Sequence, residues 1–158
     1  MKKYLLALIL AFSSLPGVVL AADSGPAATP SRPQDATLER ARSAIVQKNW
    51  PGAQSILRDA VGRDPKNADY HNLYAYSIRK GANPDMSLVF KHYNEALSID
   101  PKHKGAHEYI GEAYLMIGNV DKAKEHLAQL DKICFFGCSE FTELKTAISD
   151  FETRKVAR

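Results

Sequence analysis

From Gln34 to about Phe151, small and bulky apolar side chains return at steps of three and four residues, separated by charged and polar positions. That is the period of an amphipathic helix with one buried stripe. Three sets follow turns: Ala53, Leu57, Ala60; Val89, Tyr93, Ala96; and Ala123, Leu127, Leu130. A second set precedes each: Arg40, Ala41, Ala44; Tyr74, Ala75, Ile78; and Ile110, Gly111, Tyr114. The pattern predicts seven helices, over 36–47, 50–63, 67–80, 84–98, 104–117, 120–133 and 140–155.

Local chemistry fits those limits. Pro51 and Pro84 are expected in first turns, where the missing N–H costs nothing. Pro65 and Pro101, each preceded by Asp, are expected to terminate helices. Gly81 and Gly118 suit helix exits that require a left-handed residue.

The helices come in pairs at a period of about 34 residues, which marks a stacked repeat rather than a globular bundle. In the third pair the stretch IGEAYLMIGNVDKA carries the spacing G-x2-Y-x3-G-x4-A-x3-L, completed by Leu127. This resembles the tetratricopeptide repeat, and the resemblance covers roughly residues 34 to 151. It is fullest in the third repeat. The first lacks the first-helix Tyr and the turn Gly, and the second carries two extra residues around GANPDM, so its inner turn must bulge. The implied architecture is an all-α superhelix of three helix-turn-helix repeats, about 34–67, 68–103 and 104–137, closed by a capping helix over 140–155.

Carrying the repeat past its third copy puts Cys134 where the earlier copies have the Asp of Asp-Pro, and Phe135 on the proline. Phe141, Leu144, Ile148 and Phe151 then form the stripe of the capping helix, with Ser139 expected as its N-cap. Lys145 falls on the close-packing small position, acceptable only where no further helix stacks.

Composition narrows the setting. The chain opens MKKYLLALILAFSSLPGVVLA, a basic start, a short apolar run and a V-x-A exit. That is the layout of a signal peptide over 1–21, and the run is too short for a spanning helix. Residues 22–35 read as a Pro-rich flexible linker. Removing residues 1–21 takes two lysines and leaves 19 basic against 18 acidic side chains, so the full-chain charge of +3 falls to +1. Nothing there points to nucleic acid or an acidic membrane. The expected setting is the periplasm.

An exported context and an even cysteine count favour a disulfide between Cys134 and Cys138, with Gly137 giving the loop room to bend. Two other readings stay open. A redox pair would prefer C-x-x-C at a helix start. A metal site would need more ligands, such as His126 or Met116. His71 and His107 match in repeat position, which argues that both pack against the adjoining helix. His103 and His107 are four apart but lack a third ligand at helical spacing. No metal or other cofactor is expected.

No nucleophile elbow, phosphate loop or H-E-x-x-H pattern occurs, and Glu108 and Glu112 share a helix face with no third partner. The chain is expected not to be an enzyme. Tetratricopeptide arrays typically hold a protein or peptide on the concave face of their first helices. Transferred by register, that face comprises Arg42 and Ile45, then Asn72, Tyr76 and Arg79, then Glu108, Glu112 and Leu115. The expectation is an adaptor that binds a protein or peptide partner in the cell envelope. The alternative is a metal- or thiol-handling protein using the C-x3-C pair. Partner identity and oligomeric state are not written in the sequence.

Overall fold

The computed structural model describes residues 35–156. The expected signal peptide over 1–21 and all but the last residue of the expected linker lie outside them. Among the described residues there are seven α-helices and no strand. They are α1 (Ala36–Val46), α2 (Trp50–Arg63), α3 (Ala68–Arg79), α4 (Met86–Ile99), α5 (Lys104–Met116), α6 (Val120–Ile133) and α7 (Ser139–Val156). The fold class expected from the repeat pattern is the one observed, with helix ends displaced by at most two residues.

Six of the helices start on a side chain that accepts from an otherwise unpaired backbone N–H. Asp35, Asn49, Asn67, Asp85 and Asn119 do this with oxygen, and His103 does it with Nδ1, 3.1 Å from the amide of Ala106. Asp35 is tied further into the fold by the Tyr70 hydroxyl, which donates to it at 2.6 Å. That bond holds the Asp35 carboxyl below its ordinary range.

Four local expectations need correction. Pro84 lies outside α4, because Asp85 caps it and Met86 begins it. Gly81 is not left-handed; among the described residues those with positive φ are Lys48, Gly118 and Gly137. Lys48 and Gly118 both stand directly before a capping Asn, at Asn49 and Asn119. The left-handed turn missing its glycine in repeat one is therefore still made, by a lysine at φ 56°. Ser139 is the first residue of α7 rather than its cap, and its hydroxyl donates to Glu140 instead. The capping helix thus runs Ser139–Val156 rather than 140–155.

Each repeat is an antiparallel hairpin, α1 on α2, α3 on α4 and α5 on α6, with α7 laid on α5 and α6. The small residues of the pattern sit where chains approach most closely. Ala41, Ala53, Ala75, Ala96, Ala106, Ala113 and Ala123 are fully buried, as are Leu57, Val89, Tyr93, Ile110 and Leu130. Gly111 shows why size matters: a Cβ there would come within 2.7 Å of both methyl carbons of Leu144 on α7. Leu144 is itself fully buried, so the methyls have no free space to move into.

The buried residues fall into two clusters. One spans repeats one and two and reaches Ile110 and Ala113 of α5. The other joins Leu115, Ala123, Leu130 and Cys134 to Leu144 and Ile148 of α7, and half-buried Tyr114 packs against both. Without α7 the second cluster would open to water, which is the reason a solenoid ends on a capping helix. No helix among the described residues is long and apolar enough to cross a membrane.

Candidate partner-binding groove

The first helices α1, α3 and α5 pack side by side, and α7 continues the row beside α5. The eight residues singled out from the sequence lie on α1, α3 and α5, in very different states. Arg42 is exposed and paired with Glu39 one turn earlier. Ile45, Tyr76 and Glu112 are half-buried. Asn72, Arg79, Glu108 and Leu115 are buried.

Arg79 is the hub. Its Nη2 donates to Glu112 at 2.6 Å, and Nε to the hydroxyl of fully buried Tyr93 at 3.3 Å. Its guanidinium lies over the rings of Tyr76 and Tyr109, 5.4 and 5.8 Å from their centroids. Burial pushes the Tyr93 phenol above its ordinary value, so it stays a neutral hydroxyl able to accept from Arg79. The chain could supply this cluster only by bringing α3, α4 and α5 together. Arg79 is consequently a fixed support of the face, and its charge is already spent on Glu112.

Glu108 and Glu112 share a helix face, as their spacing requires, yet find different partners. Glu112 takes Arg79. Glu108 is buried against Glu143 of α7, and desolvation, followed by the hydrogen bond to Glu143, pushes its carboxyl up to about 8. At neutral pH the Glu108 carboxyl is therefore largely protonated. Asn72 stands one repeat earlier at the matching position, and its Oδ1 is buried without a hydrogen-bond partner.

Three features of the face escaped the sequence reading. Trp50, at the start of α2, meets Tyr76 edge-on at 6.2 Å, and Tyr76 meets Tyr109 at 4.6 Å. These three half-buried rings form one aromatic row across three helices. The second is α7, which walls a depression as well as serving as a cap. A depression of about 320 Å³ lies between α3, α5 and α7, with Leu115, Met116 and Phe151 as apolar walls and Arg154 and Asp150 at its edge. The third is Glu143. The repeat register, carried one helix further, was the signal that could have found the last two.

The corner between α6 and α7 is closed covalently: Cys134 and Cys138 are joined, with Cα atoms 5.6 Å apart. Cys134 also keeps the role of the Asp residues it replaces. Its amide donates to Leu130, as Asp64 does to Ala60 and Asp100 to Ala96. Gly137 donates back to the Cys134 carbonyl at 2.8 Å, in a left-handed conformation that favours glycine. Phe135 and Phe136 stand on this loop in solvent. His71 and His107 pack against the second helix of their repeats as expected, each on another histidine, His92 and His126. His103 is occupied as the α5 cap and by Asp69 at 3.3 Å. Among the described residues no three His, Cys, Asp or Glu side chains are grouped to hold a metal ion.

No protein-family model matches the chain, and no curated protein matches it either. Solved structures do. The Yersinia enterocolitica type III secretion translocator chaperone SycD superposes with a TM-score of 0.62 at 17% identity, over 77% of this chain and 90% of that one. The TPR2B domain of yeast Sti1, solved in complex with Hsp70, gives 0.64 at 16% identity, over 75% and 94%. TTC0263, a thermophilic TPR protein of Thermus thermophilus, gives 0.63 at 18% identity, over 78% and 67%. The chain folds as a tetratricopeptide-type helical solenoid. At these identities the likeness concerns the fold.

Proposed function

We propose that this chain is an exported, non-catalytic interaction module that holds a segment of a protein partner on the face formed by α1, α3, α5 and α7. The observation that carries the reading is the aromatic row Trp50–Tyr76–Tyr109, half-open to solvent and continued by the depression before Phe151. Rigid aromatic rings beside fixed charges are the side chains that dominate the energetics of protein contacts. Two of the similar structures belong to proteins whose names declare a protein partner, the translocator chaperone and the Hsp70-bound domain. Export to the periplasm rests on the leader-like residues 1–21, and an envelope partner follows from it.

The bond between Cys134 and Cys138 favours the structural reading over the thiol- or metal-handling alternative, since metal binding would need both thiols free.

The test is affinity capture from the native envelope with Tyr76→Ala and Arg154→Ala. Both side chains border the face without supporting the core. At least one variant is expected to weaken capture of the same partner about tenfold or more, the size of a truncated interface anchor, with the circular dichroism unchanged. Capture at wild-type level by both refutes the groove. Arg79→Ala is unsuitable, because it leaves Glu112 and Tyr93 without their donor.

A further inference from the structure

Two histidine pairs recur at one place in repeats two and three, and the groove uses neither. His71 on α3 meets His92 on α4, Nδ1 to Nδ1 at 2.9 Å, and His107 on α5 meets His126 on α6 at 3.0 Å. The other ring nitrogen of each first-helix histidine reaches back to the preceding corner. His71 Nε2 lies 3.0 Å from the Pro65 carbonyl, and His107 Nε2 lies 3.1 Å from the Pro101 carbonyl.

The tautomers follow from these partners. A carbonyl oxygen only accepts, so Nε2 of His71 and of His107 carries the proton. Their Nδ1 atoms are then lone pairs, and His92 and His126 donate to them through Nδ1–H. Each bridge therefore ties an inter-repeat turn to both helices of the repeat that follows. The rings pack into the core: Tyr74 meets His92 edge-on at 4.8 Å, and Tyr114 stacks on His126 at 5.7 Å. His71, His92 and His107 are buried. Repeat one has Thr37 and Ile56 at the matching positions and α7 has Phe141, so both ends of the solenoid lack the device.

In each pair the nitrogen left without a partner is Nε2 of the second-helix histidine. A first proton taken there leaves the Nδ1–H bridge in place but charges a ring packed against the core. A second added proton per pair would set N–H against N–H at about 3 Å, too close for two donors. The unfolded chain has no such restriction.

We propose that the two histidine pairs are acid-release joints: acidification charges the packed rings of His92 and His126, full protonation breaks both bridges, and α3 loosens from α4 and α5 from α6 at the corners formed by Pro65 and Pro101.

The surrounding charges do little to oppose this. His92 feels burial first, then His71 across the bridge and Lys91 on its own helix, and is pushed down to about 4. His126 is likewise pushed down to about 4, by burial and by His107, with Glu125 and Lys122 of α6 acting in opposite senses. Burial also lowers His107; the Pro101 carbonyl and Asp100 act against that, and His103 with it. A histidine whose folded value lies below the unfolded one stabilises the fold above about pH 6.5, and that stability is lost as pH falls toward 4.

The test compares the wild-type chain with the double variant His92→Asn, His126→Asn, whose amide Nδ2–H stands where each Nδ1–H stood but does not titrate. Between pH 6 and 5 the unfolding constant of the wild type is expected to rise more steeply than that of the double variant, by up to about tenfold per pH unit for each pair. Parallel pH profiles overturn the proposal. Should the variant not fold, imidazole 15N shifts of the wild-type protein decide. His71 and His107 must be Nε2–H tautomers at pH 7. Protonated Nδ1 in both, or all four rings titrating near 6.5 in an intact fold, overturns it.

Discussion

The solenoid turns the same corner three times with two different chemistries. At Asp64-Pro65 and Asp100-Pro101 a proline stiffens the turn, and its carbonyl accepts from a buried histidine. At Cys134 the backbone pattern is retained but proline and histidine are both gone, and the tie is a disulfide to Cys138. The inner corners are braced against helices on both sides, whereas the last must hold a single helix that leans only on α5 and α6. A covalent closure suits the corner with the fewest neighbours, because it restricts the unfolded chain rather than relying on packing. The two solutions also fail differently, one to acid and one to reductant.

Three perturbations probe that difference. The largest effect is expected from Leu144→Ala, which empties the site facing Gly111 and should cost about 2–5 kcal/mol. Hydrogen exchange should show α7 and the α6 residues beneath it opening before repeats one and two. Uniform loss of protection along the chain would mean that the last corner is not an independent weak point. Replacing Cys134 and Cys138 by Ser should cost about 2 kcal/mol on the loop-closure estimate for a ring of this size. The urea midpoint should fall, and a reducing agent should lower the wild-type midpoint to nearly the same value. Indifference to both treatments would leave the disulfide without a structural role.

Pro101→Ala is the smallest of the three. The carbonyl of residue 101 remains to accept from His107, so only the added freedom of the unfolded chain counts, about 0.4–1 kcal/mol. A loss equal to that of the disulfide variant would erase the contrast between the corners. In all three, thermal midpoints should move in the same order.

The sequence by itself determined the repeat, and for a physical reason. Ala53, Leu57 and Ala60 and their counterparts repeat because stacked helix pairs must present alternating small and large side chains to one another. Such a pattern is local and periodic, hence readable. The same register carried Leu144 and Ile148 to buried positions and Cys134 to the corner that Asp64 and Asp100 occupy. Less regular local choices were harder to read, as Lys48 in a left-handed turn and Pro84 ahead of its cap show.

What only the tertiary structure decided is which polar side chains face one another across helices. His71 and His107 were visible as a matched pair, but their true partners lie 21 and 19 residues further on. The difference of two is the bulged turn at GANPDM, a local insertion that hides the match. Arg79, Glu112 and Tyr93 belong to three helices, and Glu108 finds Glu143 on a fourth. Periodicity places a residue on a face but does not say whether that face meets water or another charge. Burial settles that, and burial depends on how far each helix is rotated and how closely its neighbour approaches. Here those distances are set by side chains as small as the missing Cβ of Gly111.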